Sequence, residues 1–290
     1  MIIRNHELDT NNKTYICGII NVTPDSFSDA GKNLQLETAL KNALKMISEG
    51  ASIIDIGGES TRPGFTPVSE EEEENRVIPL VKALRAQSDI LISVDTVKAS
   101  VAKKAIEAGA DIINDISGLL ADPMMVSVIK EANAACIISH NRNYVNRLVG
   151  DKSAENEYKT ETEISYVNQD YVNQICTEMM LLAKRAMELG IPKDKIMLDP
   201  GVGFKGSAEK DHLVLNNLMQ IVKIGFPVFL GVSRKSCIAS VCGESIRERE
   251  AGTVAISALS TLAGVAVIRV HNVKENACAV RITEEICKYG

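Results

Sequence analysis

Residues 91–115, LISVDTVKASVAKKAIEAGADIIND, hold one complete repeat of this chain and the opening of the next. An apolar run at 91–94 ends on Asp95, an amphipathic stretch follows and stops at Gly109, and a second apolar run at 111–113 ends on Asn114 and Asp115. Continuous apolar runs suit parallel strands covered on both faces, and the stretch between them is the crossover helix. The same arrangement recurs upstream, where 16–20 leads to Asn21 and 53–56 to Glu59. Downstream, 135–138 delivers Ser139 and His140, 196–198 delivers Asp199, 228–232 delivers Ser233, Arg234 and Lys235, and 265–268 delivers Arg269 and His271. Eight such units predict an α/β fold, a (β/α)8 TIM barrel, as a single domain over residues 1–290. The active site of such a barrel lies where the strand C-termini meet, so these scattered residues are expected to converge.

The composition suits one enzyme-like domain. Hydrophobic residues make up 45% of the 290, enough for a sizeable core, and the net charge of −6 gives no reason to expect nucleic acid as a partner. Seven cysteines without a close Cys-x-x-Cys pair fit a reducing compartment better than a disulfide framework or a zinc site. The N-terminus carries charges and no apolar signal core, and no run is long enough to span a bilayer, so the expected location is the cytoplasm, with no membrane partner.

Ser69 ahead of the acids at 70–74 predicts a helix N-cap followed by a solvated acidic first turn. Gly50, Gly109, Gly190 and Gly264 are read as helix terminators. The segment 143–169 is polar with little apolar periodicity, and is expected to be an extended loop leading into a surface helix above the barrel mouth. Two loops at the catalytic face, 21–29 and 57–64, combine small, hydroxylated and turn-forming residues, a mixture suited to lids over a polar substrate. The charge-poor stretch 252–262 predicts either a doubly buried helix or one that packs on another subunit.

Seven segments in order, 18–29 (GIINVTPDSFSD), 55–64 (DIGGESTRPG), 93–96 (SVDT), 113–118 (INDISG), 198–204 (LDPGVGF), 231–236 (GVSRKS) and 269–273 (RVHNV), closely resemble the dihydropteroate synthases. The resemblance runs from the first strand to the last. It implies a cytoplasmic, homodimeric folate-pathway transferase that joins 6-hydroxymethyl-7,8-dihydropterin diphosphate to p-aminobenzoate. Pyrophosphate is released with Mg2+ assistance, and the family is a target of sulfonamides.

The residues can be weighed against that chemistry. A pterin edge needs a carboxylate acceptor, a task for Asp199, while Lys235, Asn114 and Asp95 satisfy the rest. Arg269 and His271 supply charge and hydrogen bonds for a diphosphate, and Asn21 offers Mg2+ a neutral oxygen, since this ion takes few protein ligands alongside phosphate oxygens. Thr61, Arg62, Phe204 and Ser236 are expected walls of the arylamine site. Asp55 and His140 also suit purely structural strand-end roles, and a Schiff-base role for Lys235 is a further reading. His6 and His212 are read as surface residues.

Some positions depart from the family pattern: Lys205-Gly206, Asp211, Asn143 and the Asn272 that follows His271. These leave open a non-catalytic pterin-binding paralogue. A pterin-dependent methyltransferase of the methyltetrahydrofolate:corrinoid type would use Asp95, Asn114 and Asp199 similarly, without needing the two lid loops or Arg269 and His271. A barrel with no ligand at all would leave many polar groups crowding its mouth at a cost.

Overall fold

The computed structural model describes residues 1–22, 32–59, 68–149, 161–204 and 206–289. The chain opens with a small antiparallel hairpin, β1 (Ile2–Ile3) and β2 (His6–Glu7). Among the described residues eight parallel strands then follow: β3 (Tyr15–Asn21), β4 (Ile53–Gly57), β5 (Leu91–Asp95), β6 (Ile112–Asp115), β7 (Ala135–Ser139), β8 (Ile196–Asp199), β9 (Phe229–Gly231) and β10 (Val267–Val270). Their order is β8-β7-β6-β5-β4-β3-β10-β9, and a parallel bridge between Leu198 and Val228 closes the ring. The expected barrel is therefore present, with each strand within two residues of the apolar run that predicted it.

Helices flank the strands: α1 (Lys32–Ser48), α2 (Glu70–Arg85), α3 (Ala99–Ala108), α4 (Met125–Ala132), α5 (Arg142–Val149), α6 (Glu161–Glu188), α7 (Ala208–Asn216), α8 (Leu218–Val222), α9 (Ser236–Cys242), α10 (Ile246–Leu262) and α11 (Val273–Cys287). The outward strand residues, such as Ile54, Ile92, Ile113 and Ile268, are buried with the inner faces of these helices. The inward residues form a second cluster, in which Cys17, Ile53, Leu91, Ile112, Met197 and Phe229 fill the lower barrel and Ile3 and Leu8 of the N-terminal segment plug its base. Burial on both faces is why the strand sequences do not alternate.

The register sorts the interior into layers. Ile53 pairs with Leu91 at one level, Asp55 with Ser93 at the next, and Gly57 with Asp95 at the top. Side chains alternate along a strand, so Asp55 and Asp95 share the inward face with Asn114, Asp199 and Arg269. The lower barrel is apolar, and its upper layers carry the charge.

Ser69 caps α2 as expected, its side chain accepting from Glu72 N at 3.2 Å, and Gly109 ends α3 with φ 114°. The acidic first turn is less solvated than its composition suggests, because Glu73 is only 1% exposed and bonds Lys98 Nζ at 2.5 Å. Segment 143–169 departs from expectation at its start and agrees at its end, where a helix begins. Residues 142–149 form α5, and 161–169 already belong to the 28-residue α6. Val145 anchors α5 in the core. Residues 23–31, 60–67 and 150–160 lie outside the described residues. They include most of both lid loops, with Thr61 and Arg62, and Lys205 also falls outside.

Helix α10 is not doubly buried within one chain. Its inward side carries Thr253, Ser257 and Ser260, all 0% exposed, and Ser257 Oγ donates to Asn276 Oδ1 of α11 at 2.7 Å. Its outward side carries Leu259 and Leu262, which are 61% and 57% exposed. This inverts the usual amphipathic arrangement.

Candidate active site

At the top of the barrel, Arg269 reaches across from β10 to two carboxylates. Its Nε donates to Asp55 Oδ2 at 2.5 Å and its Nη2 to Asp95 Oδ2 at 2.8 Å. Asn114 Nδ2 donates to the same Asp55 oxygen at 3.2 Å. β10, β4, β5 and β6 thus deliver one network of four side chains, all largely screened from water. Burial pushes the Asp95 carboxyl up to about 7, reinforced by Asp55, Glu73 and Asp115, while the guanidinium of Arg269 opposes the rise. Burial disfavours the Arg269 cation, but Asp55 and Asp95 outweigh it and hold the group protonated. The other oxygen of Asp55 and the Asn114 carbonyl oxygen are buried with no protein partner among the described residues, which marks them as acceptors for a bound molecule or water.

The second half of the site comes from β8 and β9. Asp199 Oδ1 accepts from Gly201 N at 2.7 Å, which fixes the carboxylate against the turn that follows β8. Lys235 Nζ donates to the Val202 carbonyl and stands 5.0 Å from the centre of the Phe204 ring. Burial lowers the Lys235 pKa, with the nearby Asp199 carboxylate pulling the other way. Gly203 adopts φ 88°, and a Cβ there would stand 2.7 Å from Lys235 Cδ, so the turn needs glycine both for its backbone and for the lysine that crosses it. Gly231 keeps space at the centre: a Cβ there would lie 3.6 Å from Asp199 Oδ2, 3.7 Å from Lys235 Nζ and 4.0 Å from Arg269 Cδ. These three side chains, from β8, β10 and the turn after β9, therefore surround one point. For Asp199, Lys235 and Arg269 the convergence predicted from sequence is realised in space.

His271 extends the site beyond β10, with its backbone N and ring Nδ1 facing Ser233 Oγ at 3.2 and 2.9 Å. Asn21 ends β3, where its Oδ1 lies 3.5 Å from the point a Cβ would occupy on Gly57, with Asp95 Cβ 3.7 Å from that point. The missing side chain of Gly57 leaves a space between a neutral oxygen and the Asp95 side chain. That donor set fits a hard cation that draws most of its ligands from elsewhere. Among the described residues, no three His, Cys, Asp or Glu side chains are grouped so as to hold a metal by themselves. Ser236, the first residue of α9, is exposed beside this turn, while Phe204 is half-buried.

Asn21, Asp95, Asn114, Asp199, Lys235, Arg269, His271, Phe204 and Ser236 thus all lie at the C-terminal end of the barrel. The sequence reading sent Arg269 to a diphosphate, whereas two of its nitrogens are committed to Asp55 and Asp95. Asp55 belongs to the same network, a membership readable from its inward parity with Asp95. Ser233, which orients His271, carried no sequence signal of that role. His140 turns away from the interior. Its ring bonds Glu178 Oε2 at 2.5 Å, and Gln174 donates to the other oxygen at 2.7 Å. Burial pushes the Glu178 carboxyl up, but the His140 contact outweighs it and holds the group below the ordinary carboxylate range. His212 is exposed, and His6, half-exposed, pairs with Asp89.

A closed barrel with a charged, ligand-accepting mouth defines the chain as an enzyme of the (β/α)8 class that takes a small polar molecule. The family described as Pterin binding enzyme matches residues 17–271. A dihydropteroate synthase of Clostridium beijerinckii is 41% identical over 289 residues, covering 99% of this chain and 100% of the relative. A crystal structure of the dihydropteroate synthase of Clostridium difficile in the presence of pteroic acid superposes with a TM-score of 0.84 at 41% identity, covering 97% of this chain and 99% of the other. The dihydropteroate synthase of Yersinia pestis in complex with a sulfonamide drug superposes with a TM-score of 0.85 at 34% identity, covering 99% of both chains. The chain belongs to the pterin-binding enzymes and, among them, to the dihydropteroate synthases.

Proposed function

We infer that this chain condenses 6-hydroxymethyl-7,8-dihydropterin diphosphate with p-aminobenzoate, giving 7,8-dihydropteroate and pyrophosphate, and that the whole chain works as one unit. The observation that carries the reading is the convergence of Asp199, Lys235 and Arg269 around the space above Gly231. Asp199 accepts from the 2-amino group and ring N–H of the pterin, and Lys235 donates to its carbonyl edge. The unpaired oxygens of Asn114 and Asp55 lie within the same polar layer. Arg269, held between two carboxylates, presents a fixed guanidinium to the ring and to the end of the diphosphate nearest it. His271, aligned by Ser233, contacts the leaving diphosphate.

The reaction exchanges one bond for another. The C–O bond to the diphosphate breaks, the arylamine nitrogen bonds to the exocyclic methylene carbon, and the nitrogen loses a proton. Electron release from the pterin ring supports cleavage ahead of attack, so no protein nucleophile is required. Thr61, Arg62, Phe204 and Ser236 are proposed to wall the arylamine, and the ring that would accept a sulfonamide is the same one. Mg2+ would be held by Asn21 and by diphosphate oxygens, and would supply charge neutralisation on the leaving group. The polar mouth, the free state of all seven cysteines and the absence of a membrane-length apolar helix among the described residues accord with a cytoplasmic setting.

Purified protein given both substrates and Mg2+ is expected to form dihydropteroate, followed by chromatography, and EDTA is expected to suppress it. Saturable binding of the pterin diphosphate without product would instead favour the binding paralogue.

The same chain is proposed to work as a homodimer through α10 and α11. Leu259 and Leu262 on α10, with Ile282 and Ile286 on α11, are each more than half exposed and lie on two helices packed together. An apolar surface over a polar-lined helix interior is costly in water, and a second copy would cover it. Sedimentation is expected to show a dimer that Leu259→Glu/Ile282→Glu converts to a folded monomer. A wild-type monomer at micromolar concentration would dismiss this assembly.

A further inference from the structure

We propose that Arg249, Glu250 and Thr253 of α10 are positioning residues for Lys235, acting by holding Arg234 in a left-handed backbone conformation. Arg234 immediately precedes Lys235 and has φ 59°, a region that residues carrying a Cβ rarely adopt. Three contacts hold it there, and all three come from one face of one helix. The Arg234 N–H donates to Thr253 Oγ1 at 3.2 Å. The Arg234 carbonyl accepts from Arg249 Nη1, also at 3.2 Å. The Arg234 side chain forms an ion pair with Glu250.

The helix that supplies these contacts is itself anchored. Thr253 is fully buried, and its hydroxyl donates to Arg249 O at 2.7 Å. The start of α10 is fixed by a reciprocal cap, in which Ser245 Oγ accepts from Glu248 N at 3.2 Å and Ser245 N donates to Glu248 Oε2 at 3.0 Å. Arg234 is thus clamped on its backbone donor, its backbone acceptor and its side chain.

The consequence of that clamp is the direction of two neighbouring side chains. Lys235 N bonds back to Val232 O at 3.2 Å, which closes a tight turn over 232–235. From that turn the Lys235 ammonium reaches the Val202 carbonyl and the point above Gly231 that it shares with Asp199. The same turn sets Ser233 against His271. Without the α10 contacts, Arg234 relaxes to negative φ, and both side chains are redirected.

The inference rests on the reading of Lys235 as a pterin contact. It is tested with the full-length enzyme by measuring KM for each substrate, kcat and unfolding temperature for Glu250→Gln, Arg234→Gly, their combination and Lys235→Met. Glu250→Gln is expected to raise KM for the pterin diphosphate roughly tenfold, the population shift that matches relief of a left-handed non-glycine residue, while KM for p-aminobenzoate stays within about twofold. Glycine takes positive φ without strain, so in the Arg234→Gly background the further change Glu250→Gln is expected to add nothing. An undiminished effect of Glu250→Gln in that background, or equal changes in both KM values, overturns the inference. If Lys235→Met raises KM for the pterin diphosphate and Glu250→Gln leaves it unchanged, only the positioning role fails. If Lys235→Met leaves that KM unchanged, the pterin role of Lys235 fails and the inference with it.

Discussion

Asp199→Asn is expected to weaken binding of the free pterin by roughly 30- to 1000-fold, corresponding to about 2–4 kcal/mol for loss of a charge-assisted acceptor in a buried site. The change is close to isosteric and preserves the fold. The amide oxygen of asparagine can still accept from Gly201 N, as Asp199 Oδ1 does at 2.7 Å. The amide nitrogen then occupies the place of Oδ2, which lies with Lys235 Nζ above Gly231. A donor would face an ammonium on one side and the donor edge of a pterin on the other. Both contacts change from favourable to repulsive, while the backbone turn stays in place. Calorimetry with the free pterin reads the effect directly, and an unchanged affinity would remove Asp199 from the pterin site.

How far the sequence carried these conclusions depends on the length scale of each signal. The barrel was legible because each strand is buried on both faces and so appears as an unbroken apolar run. The N-terminal hairpin was not legible, since two-residue strands such as Ile2–Ile3 have no periodicity to detect. Helix α5 was missed for a related reason: eight residues hold little more than two turns, and Val145 is its one fully buried anchor among the described side chains. Asp95, Asn114, Asp199 and Lys235 were legible because polar residues at the ends of apolar runs have few structural reasons to be there. The partners of these groups were harder to read. Nothing local ties Arg269 to Asp55, 214 positions away, and only the closed barrel, which turns both side chains inward, lets them meet. Glu178 and Ser233 are in the same situation, because each acquires its role from a neighbour distant in sequence. Sequence therefore located the strand-end groups of the proposed site better than the groups that hold them.

Arg269→Ala should destabilise the fold by about 3–5 kcal/mol, the usual consequence of removing one partner from a buried ion pair, and should weaken both the free pterin and its diphosphate. The sequence alone assigns Arg269 mainly to the diphosphate, a role whose loss would largely spare the free pterin. The geometry argues otherwise, because Arg269 is the only cation hydrogen-bonded to either Asp55 or Asp95 among the described contacts, at 2.5 and 2.8 Å. Without it, two carboxylates share a layer closed to water, and the Asn114 that binds Asp55 at 3.2 Å loses its reference point. The pH dependence provides an internal check. A carboxylate whose folded pKa lies above its unfolded value stabilises the protein at low pH and loses that contribution as pH rises through the folded value. Burial already places Asp95 at about 7 against an ordinary 3.8, and loss of the opposing guanidinium moves it further up. The stability deficit of Arg269→Ala relative to wild type should therefore be smaller at pH 5 than at pH 8, measured by denaturant unfolding. Adding Asp55→Asn, which removes one of the two orphaned charges, should recover part of the deficit at pH 8. A deficit independent of pH, with no recovery in the double variant, would mean that Arg269 contributes packing and not charge balance, and would return its role to the diphosphate.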